Sequence, residues 1–184
     1  MRRLVIVALS ALMSVNAFAL FSETEPNNTR ATADAVLSGN IAPWASVGLL
    51  NLTPNDSDFF RIYLRAGDRL TAITFPFLDN GQTPNTVMAL FDATGTTALV
   101  FNDDGFSRGS ALLYTATTTG IYFLAITGFR PGGDQSDISY YENASHTQSG
   151  PYMLTVGVVP EPASMLALGV GLAGLVGLRR RNRK

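Results

Sequence analysis

The chain of 184 residues contains no cysteine, one histidine and one tryptophan. Without cysteine it has no disulfides, no thiol nucleophile and no thiolate metal ligands. The single histidine, His146, cannot form a zinc site with other imidazoles, and no Gly-x-Ser-x-Gly sequence marks a serine nucleophile. We therefore expect no catalytic residues and place His146 in a solvated loop.

Basic residues are scarce in the middle of the chain. Seven of the thirteen lie before residue 4 or after residue 178, which leaves six arginines against thirteen acidic residues in the segment 20–159, a net charge of −7. Such a surface repels nucleic acid and anionic lipid, and it suits divalent cations. We therefore expect no nucleic-acid partner.

The N-terminus has the pattern of a secretory signal peptide. Arg2 and Arg3 precede an apolar segment, residues 4–15, and Ala17-Phe18-Ala19 is a small-x-small cleavage sequence. We predict that signal peptidase removes residues 1–19 and that the mature chain begins at Leu20. The arginine pair lacks the rest of a twin-arginine signal, so general secretion is the better interpretation.

The last 25 residues, 160–184, also indicate handling at a membrane. A Pro-Glu-Pro triplet leads into an apolar run, residues 163–178, and a basic cluster follows at 179–184. The run of 16 residues approaches the roughly 17 that a spanning helix needs. Because basic residues after such a helix stay in the cytoplasm, everything before it is expected outside the cytoplasmic membrane.

This tail resembles the PEP-CTERM sorting domain of Gram-negative bacteria. The motif residues are Pro160, Glu161, Pro162, Arg179, Arg180 and Arg181. The resemblance implies recognition and cutting by an exosortase, and a setting in exopolysaccharide or biofilm. The alternative is a plain C-terminal anchor, which would not need the Pro-Glu-Pro boundary.

Between the two ends, residues 20–159 form one domain and are typical of a β-sandwich. Short runs of β-forming residues occur at 59–64, 70–78, 87–91, 98–101, 111–115, 121–127 and 152–158, separated by turn residues every 8 to 12 positions. In the first run, Phe60, Ile62 and Leu64 share one face. The polar stretch 128–150 is expected to be a mobile loop.

The start of this domain carries acidic residues at alternate positions. In an extended segment Glu23, Glu25 and Asn27 lie on one face. Ca²⁺ prefers several oxygen ligands of this kind. The alternative is that Asn27 and Asn28 only turn the chain.

Several motifs together resemble the bacterial pre-peptidase C-terminal (PPC) domain, a jelly-roll-like β-sandwich found on secreted proteases and other exported proteins. They are the sequences at 23–29, 56–60, 66–68, 90–95, 102–105 and 120–124. In collagen-binding relatives, calcium lies between the N-terminal linker and the loop before the Asp-aromatic strand. The resemblance thus implies calcium ligands at Glu23, Glu25, Asn27, Asn55, Asp56 and Asp58. Without calcium, the two aspartates would be ordinary loop residues.

Three further features have competing interpretations. The acidic sequence at 102–105 is expected to be a surface turn, although it could hold a metal. Trp44 could pack in the core or stack on a sugar, and Tyr140 and Tyr141, within the long polar stretch, are the better candidates for contact with a ligand.

These observations predict a non-enzymatic exported protein that is briefly anchored in the inner membrane and then resides at the cell surface or in the extracellular matrix. Its expected partners are an exosortase, signal peptidase, and exopolysaccharide or a matrix protein. The alternative is a surface module that binds a specific carbohydrate or protein and is stabilised by calcium.

Overall fold

The computed structural model describes residues 17–36, 42–78 and 81–160. These residues form ten strands and one short helix. In chain order they are β1 (Ala17–Phe21), β2 (Asp34–Ala35), β3 (Trp44–Leu52), β4 (Ser57–Leu64), β5 (Arg69–Pro76), β6 (Thr86–Asp92), β7 (Val100–Asn102), β8 (Ala111–Thr115), β9 (Gly120–Gly128), α1 (Ser139–Glu142) and β10 (Gly150–Val159).

The strands form two five-stranded sheets. Sheet I has the order β1-β3-β10-β5-β8 and sheet II the order β2-β4-β9-β6-β7. Strand β1 runs parallel to β3, and β2 parallel to β4, whereas the other neighbours are antiparallel. The predicted all-β sandwich is confirmed. Strand β3 was not predicted individually.

The main core lies between the two sheets and follows the two-residue period of the strands. Phe60, Ile62 and Leu64 are all buried in it, as their spacing predicts. From sheet I, alternate residues of β3 and β10 point into the same core, among them Trp44 and Tyr152. The structure thus assigns Trp44 to the core.

The ring of Phe21 attaches β1 to the core and lies close to the backbone of Gly48. Phe21 lies edge-on to Phe60, with their ring centroids 5.4 Å apart. A Cβ atom on Gly48 would come within 2.7 Å of the Phe21 ring. A side chain on residue 48 would therefore displace the Phe21 ring from this position.

A second apolar cluster covers the outer face of sheet II. It contains Phe59, Val87, Ala89, Phe91 and Ala125 from the strands, and Ile138, Tyr140 and Tyr141 from the segment that includes α1. Consequently β6 is buried on both faces from Thr86 to Phe91. The expectation of a mobile loop at 128–150 is wrong, because its apolar side chains pack against this sheet.

The two tyrosines of α1 are part of that packing. Tyr140 is 1% exposed and Tyr141 is not exposed at all. Tyr141 contacts Phe91 edge-on, and its hydroxyl donates to the Gln135 carbonyl at 3.0 Å. Tyr140 donates to the Arg130 carbonyl at 3.1 Å. The prediction that they contact a ligand is therefore wrong.

Among the described residues, no helix has the length and apolar character needed to cross a membrane. The predicted transmembrane run, the basic cluster and the first sixteen residues lie outside the part of the chain that the structure describes.

Candidate metal centre

Three carboxylates converge at the end of the sandwich where β4 begins. Glu23 and Glu25 lie on the extended segment after β1, and Asp58 is the second residue of β4. Each offers one carboxylate oxygen, and these oxygens all lie within 4.8 Å of one another. The alternate spacing of the two glutamates directs both towards Asp58.

Several oxygens at this point are buried without a hydrogen-bond donor. They are Glu23 Oε2, Asp58 Oδ1 and Asn27 Oδ1. Burying a carboxylate oxygen without a partner is costly unless a cation compensates. Among the described residues, the one ion pair within 4.0 Å joins Arg30 to Glu142. No arginine in the part of the chain that the structure describes therefore acts as a counter-ion to the cluster.

Backbone and side-chain hydrogen bonds fix the N-terminal segment. Glu23 Oε1 accepts from the Asn51 amide at 2.9 Å, which attaches this residue to β3. Asn27 is fully buried, and its backbone carbonyl accepts from the Phe59 backbone amide at 3.1 Å. The backbone amide of Asn27 donates to Glu25 Oε2 at 3.2 Å. These contacts place Asn27 beside the carboxylates.

Two residues that support the cluster, Asp34 and Tyr152, are not predicted from the sequence. Asp34 accepts from the Thr24 amide at 2.6 Å and from the Asn27 side chain at 3.4 Å, so it holds the segment in position. The buried hydroxyl of Tyr152 donates to Asp58 Oδ2. No sequence pattern marks either role, because Asp34 acts across a loop of seven to ten residues and Tyr152 lies 94 residues from Asp58.

The loop residues Asn55 and Asp56, also predicted as calcium ligands, take part in the turn before β4. Asp56 is outside the three-carboxylate group, and its Oδ2 accepts from the Thr53 amide at 3.0 Å. Asn55 is exposed and adopts a φ of 63°, a left-handed conformation that asparagine tolerates in turns. Both residues shape the turn before β4.

His146 is buried at 5% exposure, so its prediction as a solvated residue is wrong. Its Nε2 lies 2.8 Å from the Asp56 carbonyl. Because a carbonyl only accepts, Nε2 carries the proton. Its own carbonyl accepts from the Asn55 amide at 3.0 Å. The imidazole therefore joins the segment before β10 to the turn before β4.

Burial dominates the electrostatics of the cluster. Desolvation raises the pKa of Glu23 from 4.5 to about 7, and the charges of Glu25 and Asp56 add to the rise. Desolvation also raises the pKa of Glu25 and, to a larger extent, that of Asp58. A bound cation would favour the ionised carboxylates and reverse these shifts.

These pKa shifts predict how the stability of the calcium-free protein, in the presence of a chelator, depends on pH. Between pH 4.5 and about 7 the folded state keeps a proton on Glu23 that the unfolded chain has released. Because the folded state then binds more protons, its free energy of unfolding decreases as pH rises through this window. Thermal melts at about pH 5 and 7.5 are expected to give the lower melting temperature at the higher pH.

The matched control for this experiment is Glu23→Gln, which cannot titrate and should show a smaller change. Asp92, Asp134 and Asp137 have lowered pKa values because neighbouring residues donate hydrogen bonds to them. These three carboxyls titrate below this pH window, so they do not change the direction in which the free energy of unfolding varies with pH. A melting temperature that rises between the two pH values would contradict the prediction.

The second acidic sequence, 102–105, forms a turn after β7. Asn102 accepts from the Ala111 amide at 2.9 Å, and Asp103 accepts from the Gln135 side chain at 3.0 Å. Among the described residues, the group of Glu23, Glu25 and Asp58 is the one with metal-ligand geometry. The interpretation as a surface turn is the better one here.

Two family models match the sequence. The model of the PEP-CTERM protein-sorting motif matches residues 158–181. That of the bacterial pre-peptidase C-terminal domain matches residues 56–128. The second match begins at Asp56 and therefore excludes Glu23, Glu25 and Asn27.

The proteins similar to this chain include one curated relative and two solved structures. A probable subtilase-type serine protease of Deinococcus radiodurans is 30% identical over 103 residues, which are 56% of this chain and 14% of the protease. A periplasmic inhibitor of g-type lysozyme (PliG) from Aeromonas hydrophila has a TM-score of 0.47 and 13% identity, covering 77% of this chain and 99% of the inhibitor. The pre-peptidase C-terminal domain of a Bacillus anthracis collagenase has a TM-score of 0.41 and 11% identity, covering 78% and 97%.

Proposed function

Since the chain carries a PEP-CTERM sorting motif and a bacterial pre-peptidase C-terminal domain, which mark an exported surface protein, we propose that an exosortase processes its tail. The sandwich then serves without catalysis in the extracellular matrix. Calcium stabilises it outside the cell. The matched motif supports the processing step, and the cluster of carboxylates supports the calcium site.

The connection between sandwich and tail supports a brief membrane-anchored stage. Strand β10 ends at Val159, and only three residues, Pro160, Glu161 and Pro162, separate it from the apolar run. Three extended residues reach about 10 Å. The end of the sandwich that contains Val159 is thus held close to the bilayer until the tail is cut.

The calcium site rests on one observation, the buried carboxylate oxygens that have neither a donor nor a counter-ion. Glu23, Glu25 and Asp58 supply anionic ligands, and Asn27 supplies its side-chain carbonyl. Ca²⁺ takes six to eight oxygen ligands in flexible geometry. Water or backbone carbonyls complete the set in this proposal.

The polar groups near the cluster are committed to structural roles, which supports a function without catalysis. The Ser57 hydroxyl is buried and donates to the Tyr141 carbonyl at 2.8 Å. His146 is held by the Asp56 carbonyl, as described above. A nucleophile paired with a general base requires contact between such groups, and they do not contact each other.

The tail is tested by replacing Pro160, Glu161 and Pro162 with alanines in a host that contains an exosortase. The expected result is an uncut form that accumulates in the inner membrane, whereas the wild-type chain is shortened and leaves it. Immunoblots of fractionated cells with an ectodomain antibody distinguish the two. The control is the wild-type chain in a host without the exosortase, where the uncut form should also accumulate. Equal processing of both chains would contradict the proposal.

The alternative function is a surface module with a specific ligand. Contact of a ligand with Tyr140 and Tyr141 no longer supports this function, because both side chains are buried. A different surface, formed around Arg108, now favours it.

A further inference from the structure

A polar groove lies at one end of the sandwich. It has a volume of about 350 Å³ and is lined by residues 81–83, Arg108 and residues 147–149. A smaller apolar pocket of about 110 Å³ adjoins it and shares Thr83 and Arg108 with it, while Phe75 and Phe106 form its apolar wall. The larger volume is within the roughly 300–1,000 Å³ of small-molecule sites.

A tight turn presents the aromatic ring and the guanidinium side by side. Phe106 and Gly109 exchange both backbone hydrogen bonds at 2.9 Å, which leaves Ser107 and Arg108 as the two turn residues. Ser107 adopts a left-handed φ of 57°, as such two-residue turns require. Phe106 is 67% exposed and rests edge-on against Phe75. The ring is thus held in place but open to a ligand.

Buried hydroxyl groups beneath the turn make it rigid. Thr74, Thr86 and Ser110 are fully buried. The hydroxyls of Thr74 and Thr86 lie 2.7 Å apart, and that of Ser110 donates to the Thr86 carbonyl at 2.7 Å. The Arg108 carbonyl accepts from the Thr86 amide at 2.9 Å. The turn therefore needs little reordering when a ligand binds, which favours affinity.

Arg108 is the one charged side chain among the described residues that line the groove. Its guanidinium donates to the Thr83 carbonyl at 3.0 Å, which uses one of five N–H groups. The remaining donors can bind a carboxylate in a bidentate manner. Hydroxyl and amide side chains at 82, 83, 147 and 149 line the groove around it, whereas the Gln148 side chain bonds to the backbone of Asn85 and Phe129. An exposed ring, many neutral hydrogen-bonding groups and one cation match a sugar that carries a carboxylate.

We propose that this groove binds a hexuronate unit of a polysaccharide. Arg108 supplies a local cation there, although the net charge of the domain, −7, opposes chains that are dense in carboxylates. One sugar ring stacks on Phe106, its carboxylate pairs with Arg108, and the hydroxyls contact the side chains at 82, 83, 147 and 149. This deepens the proposed function, since it names the matrix component that the protein contacts. It depends on neither calcium nor tail processing.

The position of the groove agrees with this role. Its walls immediately precede β6, β8 and β10. Strand β10 thus starts beside the groove and ends at the tail, ten residues later. Ten extended residues span about 33 Å. The groove therefore lies at the end of β10 opposite the tail.

The experiment is calorimetric titration of the full-length protein in detergent with trigalacturonate, at a fixed calcium concentration. The neutral comparison ligand is the same trisaccharide after reduction of its carboxyl groups. Wild type is expected to bind the acidic form more tightly, by about 10- to 100-fold if Arg108 forms charge-assisted hydrogen bonds. Arg108→Gln should lose this preference. Phe106→Ala should weaken binding of both ligands by about 3- to 10-fold.

Matched variants separate loss of binding from loss of folding. Arg69→Gln removes an exposed arginine at the opposite end, and Phe101→Ala removes an exposed ring on the other sheet. Both should bind like wild type. Thr147→Val changes an exposed groove hydroxyl and should weaken binding about 2- to 10-fold without changing the melting temperature. Absence of binding to trigalacturonate, equal binding of the neutral form, or wild-type binding by Arg108→Gln would each overturn the proposal. None of these results depends on how the tail is processed.

Discussion

Calcium is expected to raise the melting temperature of the full-length protein, and a chelator is expected to lower it again. A ligand that binds only the folded state adds about 2.7 kcal/mol at a concentration 100 times its Kd. For a domain of this size that corresponds to a shift of roughly 5–10 °C. The physical reason is that Glu23, Glu25 and Asp58 are packed together without a counter-ion.

The pair of substitutions Glu25→Gln and Asp58→Asn gives the sharper test. Without calcium this variant should be at least as stable as wild type, because two carboxylates that repel one another have become neutral. With calcium its melting temperature should not change. Asp104→Asn is the control, since Asp104 is an exposed acid outside the cluster and its variant should still respond to calcium. An unchanged wild-type melt would remove calcium from the proposed function.

Tyr141→Ala is expected to destabilise the sandwich by about 3–5 kcal/mol, as large-to-small changes at buried aromatic positions do. The side chain is fully buried between Phe91 and Tyr140, with ring centroids 5.5 Å away in each case. Its removal leaves a cavity on the outer face of sheet II. Urea unfolding followed by circular dichroism measures the loss.

Two controls make this prediction specific. Tyr141→Phe keeps the ring and loses only the hydrogen bond to the Gln135 carbonyl, so it should cost about 1 kcal/mol. Ser145→Ala changes an exposed residue of the same segment and should have almost no effect. If the segment were a mobile loop, all three variants would unfold at the same urea concentration.

The inner face of the sandwich could be predicted from sequence because its residues alternate. Phe60, Ile62 and Leu64 show this two-residue period, and the structure buries all three. The outer face of sheet II could not be predicted in the same way. In β6 every residue from Val87 to Phe91 is apolar and buried, so no alternation with polar residues distinguishes its two faces.

The segment that covers this face was misjudged for a related reason. Residues 128–150 are mostly polar and have no regular period. Their apolar contact comes from Ile138, Tyr140 and Tyr141, which are close in sequence and fold into a single turn of helix. Such a short helix has too few residues for periodicity to be recognised.

The residues of the candidate metal centre also differ in whether the sequence alone predicts them. The alternation of Glu23, Glu25 and Asn27 is local and could be recognised directly, whereas Asp58 was assigned through a family resemblance. The roles of Asp34 and Tyr152 depend on tertiary contacts, and those of Asn55 and Asp56 on the geometry of one turn. Sequence spacing cannot distinguish a carboxylate that faces a cation from one that accepts backbone amides.

Strand β1 has a consequence for the order of events during export. Ala17 and Ala19, the residues that signal peptidase is expected to recognise, are paired in the sheet with Trp44 and Ser46. A segment bound in the peptidase cannot be paired with β3 at the same time, and β3 begins 25 residues after the expected cut. If signal peptidase cuts after Ala19 as predicted, proteolysis and sheet closure compete in time as the chain emerges. If cleavage comes first, the mature strand keeps only Leu20 and Phe21; if closure comes first, the cleavage site is protected and the signal segment stays attached.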